Sequence, residues 1–322
     1  MRARPWTATL GALAAVAVTG CGSSSSHHKS TSSGSATTAN AAAVAARKIT
    51  SGGFTTQAFA TGVTITFGSG TAKTSVTQPD DITKLGSDIF VGFQNNVGPQ
   101  GEPVPAGSPG AGNRQSTIVE FSSTGSTVAK WQILGHIDGL TADPGTGKVI
   151  ATTNEDANPH LYTVDPANRQ LVTYQVPSLP SHGGLDAITI YHGMVLVSGS
   201  APGTIGGKAP PQASYPAVYV VTLNTSQRTA SLRPMFGDEA SATRADPGMS
   251  GTTRLALTDP DSNFVVPSAA PRFGGQFMLT SQGDYEDIFA SGTSGKRLSV
   301  LKLSQSVDDT QCATSPSSTL YV

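Results

Sequence analysis

Beyond residue 60 the chain alternates short apolar runs with tight polar turns, and the runs recur in a fixed order. Residues 138–166 carry the unit in full. Asp138 and Leu140 open a first apolar segment, a Pro/Gly turn occupies 143–147, and a second apolar run covers 149–151. A polar corner at 154–159 then leads into a third run at 161–164. Such spacing predicts strands, because runs of four to eight residues bounded by Gly, Pro, Asn and Asp are too short for helices. The best-defined element is the second strand: at 86–91, 147–151, 193–197 and 275–279 a glycine precedes a continuous apolar run, the pattern of a strand covered on both faces. Third and fourth strands follow at 116–121 with 128–134, 161–164 with 171–176, 217–223 with 229–236, and 287–290 with 298–303. Each copy opens at an acidic residue, Asp81, Asp138, Asp186, Asp259 or Asp261, and Asp308 or Asp309.

Four strands in a unit of this size make the blade of a β-propeller, so the expected fold class is all-β, a β-propeller of four-stranded blades. A β-sandwich also has many short strands, but it does not repeat one strand order four or five times. The expected count is five to seven blades. A hairpin is predicted at 61–78, and residues 309–322 read as the start of another strand pair. Joined, the two would complete a fifth blade and hide the exposed edges; otherwise the ring is incomplete at the C-terminus.

Composition agrees with short strands and tight turns: 36 Gly, 21 Pro and 13% charged residues in 322. A net charge of -1 leaves no clustered Lys and Arg to hold phosphates, which excludes nucleic acid as an expected partner. The first residues address the chain to export. Arg2 and Arg4 precede an apolar core at 8–18, and Val18, Thr19 and Gly20 lead to Cys21. This resembles the lipobox of bacterial lipoproteins. The resemblance implies cleavage of residues 1–20, a diacylglycerol on the Cys21 sulfur, and attachment to the extracytoplasmic face of the cell membrane. The core is too short to span a bilayer, which takes about 20 apolar residues. Residues 21–53 are rich in Ser, Thr, Ala and Gly and bury too little surface to fold, which makes them a tether reaching about 30 Å. The propeller domain is expected over 54–322. With Cys21 lipidated, Cys312 has no partner for an intramolecular disulfide and reads as a small apolar side chain.

In an up-and-down blade the start of the first strand and the end of the second lie at one end, so the opening aspartates and the corners after second strands should share a rim. The candidate ligand or metal residues there are Asp81, Asn95, His136, Asp138, Asn154, Glu155, Asp156, His182, Asp186, Asp261, Gln282 and Asp284. Two long Pro/Gly loops, 92–115 and 199–216, spring from the same face. Oxygen ligands around a funnel suit Ca²⁺; the competing role is that each Asp accepts backbone N–H bonds in its turn. His136 and His182 could serve as ligands or bases. The run 138–152 also resembles the opening strand pair of NHL-type and gluconolactonase-like propellers, and the wider chain is similar to exported bacterial propeller proteins. The lactonase resemblance implies a metal-dependent hydrolase whose nearest ligands are Asp138, Asn154 and Asp186, although Ile137 stands where that family often has Asn. No nucleophile elbow, zinc-protease helix or phosphate loop is present. The expected function is a membrane-anchored binding module for a small molecule, glycan or protein, with the lactonase-type hydrolase as alternative.

Overall fold

The computed structural model describes residues 58–68, 73–180, 183–200 and 215–312. The signal, Cys21, the tether, His182, most of the 199–216 loop and residues 313–322 lie outside the described residues. A short hairpin, β1 (Thr66–Phe67) and β2 (Thr74–Ser75), comes first. Blade one is β3 (Pro79–Leu85), β4 (Asp88–Phe93), β5 (Gln115–Phe121) and β6 (Thr127–Leu134). Blade two is β7 (Ile137–Asp143), β8 (Lys148–Thr153), β9 (His160–Asp165) and β10 (Gln170–Tyr174). Blade three is β11 (Ile188–Tyr191), β12 (Met194–Ser198), β13 (Pro216–Asn224) and β14 (Thr229–Gly237). After an extra hairpin, β15 (Ser241–Arg244) and β16 (Thr252–Arg254), blade four is β17 (Pro260–Val265), β18 (Phe277–Ser281), β19 (Glu286–Ala290) and β20 (Leu298–Lys302).

Each blade is an antiparallel meander whose strands pair in chain order, which makes the domain a β-propeller of four-stranded blades. The first strands β3, β7, β11 and β17 pack side by side in that order. Among the described residues there are four such blades, against the expected five to seven. β1 and β2 pair with each other and with no other described strand, and most of the 309–322 segment expected to join them lies outside the described residues. The extra hairpin was not foreseen. β15 pairs in parallel with β20 and widens the fourth sheet to six strands.

Alternation explains the continuous apolar second strands. In β4, Phe90 faces blade two with Ile118 and Trp131, while Ile89 and Phe93 face the other way, under Ile65, Phe67 and Val76 of the hairpin. In β8, Val149 and Ala151 face blade one and Ile150 faces blade three. In β18, Phe277 and Leu279 face blade three, and Met278 packs with Val266 and Phe289 on the far side. Each of these second strands is therefore sandwiched, and a polar residue at either parity would be buried. Full burial of one such Leu, Ile or Phe side chain contributes about 1.5–3 kcal/mol.

Candidate functional site

The opening strands are bulged where the aspartates stand. Across β3 and β4 the register passes from Pro79 opposite Phe93 to Ile82 opposite Val91, so Asp80 and Asp81 together face one residue. Across β7 and β8 it passes from Ile137 opposite Thr153 to Gly139 opposite Thr152, which leaves Asp138 as the extra residue. Across β17 and β18, Asp261 and Ser262 share one partner in the same manner. A bulge inserts one residue and re-aims its side chain. Here it keeps the acidic groups out of the blade interfaces while the strands remain apolar on either side.

Several rim candidates are used up by the fold. Asn95 is buried; its amide donates to the Gln115 carbonyl at 3.1 Å and Thr117 Oγ1 at 2.8 Å, and its oxygen accepts the Thr77 N–H at 3.2 Å. Asn154 repeats the device: Oδ1 accepts the His136 N–H at 2.9 Å and Nδ2 donates to the Asn158 carbonyl at 2.8 Å. In blade four Asp284 does the same work, accepting the Thr258 N–H at 2.6 Å and hydroxyls from Thr258 and Ser281. Gln282 donates its backbone N–H to the Asp259 carbonyl. Asp81 ties blade one to blade two by accepting the Leu140 N–H at 2.6 Å. Asn95, Asn154 and Asp284 are thus brackets holding the end of the second strand to the start of the first, Gln282 is held in the same corner by its backbone alone, and Asp81 is a blade tie. Asp156, held by its N–H to the Pro99 carbonyl, lies beside Glu102 and is raised by burial first and that carboxylate second.

What converges is a smaller set. His136 Nε2 lies 3.1 Å from Asp138 Oδ1, and Asp138 Oδ2 accepts the Glu155 N–H at 3.2 Å. One ligand atom each from His136, Asp138 and Glu155 falls within 4.8 Å of the others, so this trio could hold a metal ion. The other ring nitrogen, Nδ1, is hydrogen bonded to the Val97 carbonyl. Asp186 sits one strand over. Its backbone oxygen accepts the Thr152 hydroxyl at 2.6 Å, and a Cβ on Gly139 would come within 2.6 Å of that oxygen. Close approach of the two first strands requires glycine there. Gly184 has the same function opposite the corner, where a Cβ would run into the carbonyl oxygens of Asn154 and Glu155.

These groups repel one another. Asp186 is raised well above the usual carboxylate range by burial, then by Asp261, Asp138 and Glu155. Burial and the Asp308 carboxylate lift Asp261 to about 8, and burial and Asp138 lift Glu155 to about 7. Asp81 is also held well above the usual range by burial and by Asp80. Asp80 reaches solvent yet is ringed by protein, and that enclosure, with Asp138 and Asp309, raises it to about 8. Burial alone would lower His136, but the hydrogen bond and charge of Asp138 override it and lift the ring to about 9. Among the leading influences on the axial carboxylates, the one basic side chain in the described residues is His136.

The sequence reading missed Asp80. Asp308 and Asp309, read as the acidic opening of a further unit, border the axis between β17 and β3, where the Asp308 carbonyl accepts the Ser262 hydroxyl at 2.8 Å. The available signal was the acidic pair in Pro79-Asp80-Asp81, Asp259-Pro260-Asp261 and Val307-Asp308-Asp309, since a bulge turns two successive residues toward one side.

No family model matches the chain and no curated protein matches it in sequence. Solved structures with a similar strand arrangement include hydrazine synthase of Kuenenia stuttgartiensis, at 14% identity over 73% of this chain and 53% of that one, with a TM-score of 0.43. A protein of unknown function from Bacteroides caccae matches at 9% identity over 70% and 61%, with a TM-score of 0.38. The β-propeller domain of a protein from Myceliophteria thermophila matches at 11% identity over 71% and 58%, with a TM-score of 0.36. The chain thus spans 53–61% of the length of these structures. The likeness assigns no activity, and the propeller rests on the sheets themselves.

Proposed function

We propose that this chain is an extracytoplasmic binding module, tethered to the membrane through a lipidated Cys21, whose seat is the acidic funnel at the propeller axis. The occupant it suits is positively charged: a metal ion, or a protonated amine on a small molecule or protein. One observation carries this reading. Among the described residues, carboxylates from the openings of all four first strands gather at the axis, and His136 is the basic group that faces them. A fold spends stability to hold like charges together, and a cation binding there recovers it. A glycan could be held only indirectly, through such a cation.

The lactonase-type alternative is less well supported. Asn154, one of the three ligands its resemblance implies, spends both side-chain polar atoms on backbone groups.

The test uses the intact chain in detergent after chelator treatment, with spermine as a multivalent amine probe and neutral glycerol as control. Spermine should raise the melting temperature, and the double variant Asp80→Asn/Asp261→Asn should lose most of that rise. A rise that is equal in the variant, or no rise with either spermine or a divalent ion, would remove the funnel as the seat.

A further inference from the structure

His136 is held as metal-bound histidines are. Its Nδ1–H donates to the Val97 carbonyl and orients the ring, so that Nε2, which carries a proton to Asp138 Oδ1 in the metal-free chain, is the nitrogen that a metal would take in exchange for that proton. Asp138 is itself held by the Glu155 N–H, and Glu155 is brought close by the bare Gly184 behind it. Ligand atoms on one ion at about 2.1 Å stand roughly 3 to 4.2 Å apart, so a trio within 4.8 Å needs only a small side-chain rotation to close.

Asp186 supplies an independent sign. It is 4% exposed, and the charges that bear on its carboxylate are those of other carboxylates, Asp261, Asp138 and Glu155. Buried carboxylates are almost always paired, hydrogen bonded or bound to a metal. The Asp186 backbone lies across the close approach of Gly139 and Thr152, and its carboxylate is near enough to Asp138 and Glu155 to feel their charge.

We infer that His136, Asp138, Glu155 and Asp186 form a site for one divalent transition-metal ion of the Mn²⁺ or Zn²⁺ class. Three carboxylates and one imidazole favour such ions over Ca²⁺, which takes oxygen ligands. Of the cations an acidic funnel could hold, this donor set favours one that accepts nitrogen over the Ca²⁺ that oxygen ligands alone suggest. The inference rests on the funnel being the binding seat and names its occupant.

The decisive experiment binds Mn²⁺ to the chelator-treated, detergent-solubilised intact chain. Calorimetry should give one ion per chain, with Ca²⁺ at least tenfold weaker. Pulsed EPR of the wild-type Mn²⁺ complex should show coupling to one imidazole nitrogen, a readout that needs no variant to fold. His136→Asn keeps a donor for the Val97 carbonyl, and it and Asp186→Asn should each weaken Mn²⁺ at least tenfold. No Mn²⁺ binding, binding without nitrogen coupling, or a preference for Ca²⁺ would overturn the inference. A spermine response that persists while Mn²⁺ fails would leave the funnel standing and reject only the metal.

Discussion

Replacing Asp287 by Asn tests the electrostatics on which the axial site is read, at a position away from it. Asp287 is buried in β19 and accepts the hydroxyl of its cross-strand partner Thr280 at 3.0 Å. Burial raises it from 3.8 to about 6, partly offset by that hydrogen bond, and no neighbouring charge contributes. The folded state therefore holds the proton more tightly than the unfolded chain. The resulting stability is fully present below pH 3.8 and is lost as pH rises through 6. At 1.36 kcal/mol per unit, the change between pH 4 and pH 8 is about 2.5 kcal/mol. The amide introduced by Asp287→Asn cannot titrate but keeps an oxygen for Thr280. Any constant cost of its extra amide protons cancels when the wild-type minus variant difference is followed with pH. Urea unfolding at pH 4, 5, 6, 7 and 8 in chelator should show that difference moving by about 2.5 kcal/mol in favour of the variant as pH rises. Parallel curves would refute the reasoning, and with it the raised values at the axis.

Two further outcomes follow from the same structure. The metal-free chain should lose stability as pH climbs from about 5 to 8, because Glu155 at about 7 and Asp261 at about 8 are both raised when folded; a urea midpoint that rises over this range would contradict it. Cys21→Ser should abolish incorporation of labelled fatty acid and move the chain from the membrane to the soluble fraction in the producing bacterium. Unchanged labelling would remove the lipid anchor.

The blades were legible because their signal is local. A glycine followed by an apolar run marks β4, β8, β12 and β18 whatever the rest of the chain does, and the third and fourth strands of each blade are joined to one another by short turns. The β15–β16 hairpin was not legible, since its sequence is polar and its place depends on a parallel pairing with β20 some fifty residues later. In the site, the opening aspartates could be named from their position, but their division of labour could not. Asp81 and Asp138 occupy equivalent places, yet one caps a backbone N–H of the next blade and the other faces a histidine. That difference arises from where each bulge falls, at two residues in β3 and one in β7. Likewise Asn154 looked like a ligand, and only its positive φ of 69° and its two backbone partners mark it as a bracket.

The most direct measurement is anomalous diffraction from crystals of the chain equilibrated with Mn²⁺ at millimolar concentration. A single strong peak on the propeller axis, in contact with His136 Nε2 and the carboxylates of Asp138, Glu155 and Asp186, is the predicted result. Ordered side chains at those four positions with no peak among them, or a peak bound only at the outer rim, would contradict the account.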